Sequence, residues 1–114
     1  MASLAEIEER LGEARAPLIL CGHSHLARVA RVPGGVIVNP GSVGAPGYSD
    51  PTPPLPHVSE SGSPHARYAL ATRRGSSWTV DLRALNYDWD AAARQAARNG
   101  RPEWARALAT GFIR

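Results

Sequence analysis

The four apolar residues Leu18-Ile19-Leu20-Cys21 lie between Pro17 and Gly22, and that fence decides what the segment becomes. Proline stops a helix from continuing, and four residues are too few for a helix of their own. A short run that is apolar on both faces suits a strand inside a covered sheet, with Cys21 as a small buried hydrophobe. Gly22 is expected to let the chain turn sharply into His23-Ser24-His25. Two imidazoles at i and i+2 on extended backbone lie on one side, within reach of one metal or two neighbouring metals. Neutral imidazole is a ligand for Zn, Mn, Fe and Ni. A His-x-His alone also arises by chance, so the surrounding pattern has to carry the assignment.

That pattern continues fourteen residues after His25 with Asn39-Pro40-Gly41-Ser42-Val43-Gly44. The whole, an apolar strand, Gly-His-Ser-His, a hairpin-like stretch and Asn-Pro-Gly-Ser-Val-Gly, resembles the C-terminal half of the calcineurin-like metallophosphoesterases. The resemblance is close from Leu18 to Gly44 and looser from Ala66 to Leu85. It implies hydrolysis of a phosphate ester at a dinuclear site of divalent metals (Mn, Fe, Zn or Ni), with His25 on the first metal and His23 on the second. Asn39, Gly41 and Ser42 stand where a substrate phosphate would be contacted. The family's site also needs an Asp-x-His, a bridging Asp, an Asn-His pair that includes the general acid, and one further His. None occurs here: Asp50, Asp81, Asp88 and Asp90 all lack the Asp-x-His spacing, and no Asn precedes a His. The resemblance therefore implies a downstream half whose isolated form is inactive. Alone, two neutral imidazoles are expected to bind one Zn²⁺ or Ni²⁺ weakly and to lose it below about pH 6. The contrasting reading is a non-catalytic or vestigial domain that pairs with another protein through an exposed sheet.

Composition narrows the alternatives. A chain of 114 residues holds one domain with a modest core. Aromatics are few, so Trp78, Trp89 and Trp104 are expected to carry much of the packing. The net charge of +3 invites a polyanionic partner, yet all thirteen cations are Arg, as a GC-biased coding sequence would produce, and nucleic acid is not expected. A single cysteine forms no internal disulfide and fits a reducing cytosol. Neither a signal peptide nor a membrane-length apolar run is present, so a cytoplasmic protein without membrane contact is expected.

Read in order, Ser3-Leu4-Ala5-Glu6 forms a capping box, and Leu4, Ile7, Leu11 and Ala14 give one stripe of a helix over 4–13. Residues 27–39 read as two strands joined by Pro33-Gly34-Gly35. The loop 39–44 admits two readings, a phosphate contact through amides and the Ser42 hydroxyl, or a turn that only shapes the site. Residues 45–64, with six prolines, read as a loop without an element, either a substrate-selecting rim or a linker. His57 and His65 read as solvent-facing imidazoles. A second hairpin follows over 66–85, alternating cleanly through Trp78, Val80, Leu82 and Ala84. Asp88 caps a helix over 89–99 stopped by Gly100, and Pro102 opens another to Thr110. The Arg-rich tail is a surface face or a contact for an acidic partner.

The expected fold class is α/β, the C-terminal half of a metallophosphoesterase-type β-sandwich flanked by helices, mostly antiparallel hairpins plus two terminal helices. Its segments are 1–44 (helix, strand and metal-site loops), 45–64 (Pro-rich loop), 65–87 (hairpin) and 88–114 (helical tail). Half a sandwich leaves apolar surface open, which invites an upstream half-domain or self-association.

Overall fold

A computed structural model describes residues 1–114. Helix α1 (Leu4–Leu11) is opened by Ser3, whose hydroxyl accepts from the Glu6 amide while the Glu6 carboxylate accepts from the Ser3 amide. It ends two residues earlier than the apolar stripe implies, because Gly12 turns to a φ of 57°. Strand β1 (Leu18–Leu20) runs parallel to β3 (Gly35–Asn39), and β2 (Arg28–Val32) pairs with β3 antiparallel. This gives a three-stranded sheet in the order β1-β3-β2. Gly35 is dictated by proximity: a Cβ there would lie 2.4 Å from the carbonyl oxygens of Ala16 and Pro17.

The Pro-rich segment is not an irregular loop. It contains β4 (Gly47–Asp50) and β5 (His57–Glu60), an antiparallel pair that matches Tyr48 with Ser59 and Asp50 with His57. The six prolines fall outside both strands, flanking them or filling the turn, so no ladder amide is lost. The hairpin of β6 (Ala66–Arg74) and β7 (Ser77–Leu85) follows, then α2 (Trp89–Arg98) and α3 (Pro102–Thr110). The two helices pack on each other, and α3 packs on β4. The Ile113 amide donates to the Glu60 carboxylate at 3.0 Å, tying the C-terminus to β5.

The architecture is thus α/β, with three helices, one mixed sheet and two antiparallel pairs. It is also flat. The radius of gyration is 16.0 Å and the extents are 48 × 35 × 18 Å, whereas a closed domain of this length has a radius near 13 Å. Only 12 residues are buried, and the core is small: Ala30, Val32, Val38, Ala66, Ala93, Ala107 and Leu108. The tryptophans are not its anchors, for Trp78 and Trp89 are half-buried and Trp104 is exposed. Nor is β1 a covered inner strand. It forms one edge of its sheet, Leu20 is 69% exposed and Cys21 is exposed as well, because nothing in the chain lies against that edge.

Candidate metal corner at the end of β1

The chain leaves β1 through Cys21 and Gly22, and the next three residues form a corner rather than extended backbone. His23 has φ 74° and His25 φ 61°, the only two non-glycine residues in the left-handed region. Left-handed φ at an ordinary L-residue costs about 1–2 kcal/mol, so the corner needs outside support. Gly22 does not supply it, since its φ is not positive and a Cβ there would meet nothing within 4 Å.

Support comes from hydrogen bonds. Asn39, buried at the end of β3, donates through Nδ2 to the Gly22 carbonyl (3.3 Å) and to Ser24 Oγ (2.9 Å). Tyr48 Oη donates to the His23 carbonyl at 3.0 Å, and Ser59 Oγ to the Ser24 carbonyl at 2.5 Å. The His25 ring is fixed separately, its Nδ1 lying 2.9 Å from the Ala45 carbonyl. A carbonyl only accepts, so Nδ1 is the donor, and in the neutral ring the lone pair then lies on Nε2. A backbone carbonyl on one ring nitrogen is the kind of anchor that orients metal-binding histidines. The His23 ring is exposed, and no hydrogen bond occupies it.

Asn39, Gly41 and Ser42 are spent largely on shaping this neighbourhood. Asn39 Oδ1 accepts from the Gly41 amide at 3.0 Å, and Ser42 Oγ accepts from the Ala45 amide at 3.0 Å. Gly41 sits at φ 89°, where a Cβ would press to 2.7 Å of Arg67 Cβ. The Arg67 amide in turn donates to the Ser42 carbonyl at 2.9 Å, so the loop is stitched to β6.

His57 is the neighbour that sequence reasoning missed. Its ring lies edge-on to His23 with centroids 6.3 Å apart, and its Nε2 is 3.0 Å from Tyr48 Oη. Tyr48 stacks obliquely on His25 at 4.7 Å. Asp50, across the ladder from His57, belongs to β4 rather than to a swinging loop. Hydrogen bonding from Thr52 holds its carboxyl below the ordinary range, helped more weakly by the charges of His57 and then His23. Partial burial, followed by the Asp50 charge, pushes the Tyr48 phenol up, so it remains a donor at neutral pH. His57 is exposed, as the sequence suggests, but His65 is not solvent-facing: its half-buried ring packs on Trp89 at 5.1 Å, and its Nδ1 is buried without a partner.

Beside the corner opens a cavity of about 340 Å³, walled by Ile7, Leu11, Cys21, His23 and Leu26. Although Cys21 is exposed as a residue, partial desolvation pushes its thiol up, so it stays protonated at neutral pH. No group of three or more His, Cys, Asp and Glu side chains converges as a metal site.

The family model of the calcineurin-like phosphoesterase superfamily domain matches residues 1–60, from α1 through β5, and so contains the entire corner. The chain belongs to that superfamily. Its members are hydrolases that generally work with divalent metals. The β6–β7 hairpin and the helical tail lie beyond the matched segment. No curated protein matches the chain, and no solved structure does. No helix is long and apolar enough to cross a membrane.

Proposed function

We propose that this chain is the downstream, metal-carrying half of a dinuclear phosphoesterase domain, in which His23 and His25 each offer one imidazole to a divalent metal. The observation that carries the reading is the anchored His25 ring, which with the exposed His23 ring flanks Tyr48 inside the segment that matches the family. The donor chemistry fits: imidazole nitrogen is a ligand for Zn, Mn, Fe and Ni, and His25 already holds the required tautomer. Bound metals in such a site activate water and offset charge on the phosphoryl oxygens. This chain's share is to orient the two imidazoles and, through the Asn39–Ser42 turn, to shape the floor on which a phosphate ester rests.

The donor set is incomplete within the chain. A pair of divalent metals held here would need carboxylate charge to offset their mutual repulsion. Neutral imidazoles bring none. An upstream half carrying the Asp ligands and the Asn-His acid completes the site, and the isolated chain has no metal-dependent turnover. The test is co-expression with a candidate upstream half and assay of an activated phosphodiester with Mn²⁺. Activity that is lost on His23→Ala and on His25→Ala is expected. Activity that survives both together refutes the assignment.

A second reading, a non-catalytic interaction domain, is favoured by one observation. The chain exposes 7398 Å², against roughly 6,000 Å² for a closed monomer of its mass. Leu20, Val43, Leu55, Leu82 and Leu85 contribute to that surface. The excess exceeds the roughly 800 Å² that one partner buries in a standard interface. Sedimentation velocity with apolar dye binding tests this: a monomer that binds no dye counts against an open face, and with it against both readings of the half-fold.

A further inference from the structure

The corner between Gly22 and His25 is held from two sides, by Asn39 at the end of β3 and by residues 45–59. Three of its supports come from residues 45–59: the Ala45 carbonyl on the His25 ring, Tyr48 Oη on the His23 carbonyl, and Ser59 Oγ on the Ser24 carbonyl. Two of these are side chains facing each other across the ladder, since Tyr48 pairs with Ser59. Consecutive carbonyls of the corner, those of His23 and Ser24, are therefore gripped by one rung of the hairpin. Tyr48 does more than the others. Its ring lies against His25 at 4.7 Å and reaches His23 at 6.5 Å, while His57 Nε2 buttresses its oxygen at 3.0 Å.

We propose that the β4–β5 hairpin is a clamp that sets the left-handed geometry of the His23-Ser24-His25 corner, with Tyr48 as its positioning residue. The hydroxyl matters because the His23 carbonyl fixes the plane of the peptide that follows, and with it the direction in which the next residues leave. Remove the proton that holds this oxygen, and the peptide after His23 can rotate, which changes how His23 is placed relative to the separately anchored His25. The consequence for metal affinity rests on the reading of His23 and His25 as ligands; the consequence for backbone conformation does not.

The test uses the full chain and the variants Tyr48→Phe, Ser59→Ala and Ser49→Ala. Phe keeps the ring and removes only the hydroxyl. Amide–Hα couplings and Cα shifts by NMR on the metal-free protein read φ at His23 and His25, and calorimetry reads Ni²⁺ binding. Tyr48→Phe is expected to shift the His23 coupling toward negative-φ values and to weaken Ni²⁺ binding about tenfold, as loss of a hydrogen bond behind a ligand commonly does. Ser59→Ala is expected to act in the same direction, and Ser49→Ala, whose exposed side chain makes no hydrogen bond to the corner, to change neither readout. Unchanged couplings in both Tyr48→Phe and Ser59→Ala overturn the clamp. Ni²⁺ binding that is unaltered by His25→Ala overturns the ligand reading instead, and the couplings then judge the clamp alone.

Discussion

Asn39→Ala separates a structural amide from one that serves substrate. In the structure the Asn39 side chain makes three hydrogen bonds, to Gly22, Ser24 and Gly41, at 3.3, 2.9 and 3.0 Å, and the residue is 7% exposed. Each is worth about 1 kcal/mol net, and an orphaned partner away from water costs more. The Gly22 carbonyl is exposed enough to find water, while the Gly41 amide is half-buried. The loss therefore comes to about 2–4 kcal/mol, a large share of a total that for a single domain starts near 5 kcal/mol. Urea unfolding followed by tryptophan fluorescence measures it, and the midpoint should fall by about 1–2 M. Asn39→Asp sharpens the result. The introduced carboxylate still accepts from Gly41 and can accept from the Ser24 hydroxyl, losing only the donor to Gly22, so its midpoint should lie between those of the parent and Asn39→Ala. An Asn39→Ala midpoint within about 0.3 M of the parent would show that the amide is not holding the corner, and the reasoning would fail.

Three further outcomes follow from the coordinates. Hydrogen bonds from the Ser3 amide and hydroxyl depress the Glu6 carboxyl, so its support of α1 is complete above the ordinary carboxylate range and is lost as pH falls through the depressed value; far-UV circular dichroism should show acid loss of helix that is absent in Glu6→Gln. Gly111→Ala places a Cβ 2.1 Å from the Ser63 amide nitrogen at φ 80°, whereas Gly100→Ala at φ 72° meets nothing within 4 Å. Thermal unfolding should separate them, with the first costing about 3 kcal/mol or more and the second about 1 kcal/mol. The Arg101–Glu103 pair is more than half exposed on both sides, and Glu103→Gln should leave the melting temperature within experimental error.

How much of this was legible in the sequence depends on whether the deciding interaction was local. The Ser3 capping box, Pro102 at the start of α3 and the 28–39 and 66–85 hairpins were readable because caps, turns and alternation lie within a few residues of their effect. Strands β4 and β5 were hidden by the proline count. Their signal was position rather than composition: Tyr48-Ser49 and His57-Val58-Ser59 are two short proline-free runs around a proline-filled turn. His57 was missed because it meets His23 through that unforeseen hairpin, not at any sequence spacing. The corner's left-handed backbone was unreadable for a related reason, since the side chains that impose it come from residues 39, 48 and 59. Cys21 and Leu20 look buried in the sequence and are exposed in the fold. Apolar sequence records what a residue is suited to touch, and no strand of this chain pairs along the free side of β1.

That last mismatch bears on the site itself. Strand β1 pairs only with β3, so the backbone groups along its other side face outward over Leu18–Leu20, the strand that runs directly into the corner. In a sheet with parallel strands, ligands gather at the carboxyl ends. A strand added along this free edge in the same direction would end level with Cys21, and its following loop would emerge beside His23 and His25. On the proposed reading of His23 and His25 as ligands, pairing along this edge and delivering carboxylates would then be one event. The free edge of β1 and the corner that carries His23 and His25 meet at the same end of the same strand, so whatever paired along Leu18–Leu20 would also decide what approaches the two imidazoles.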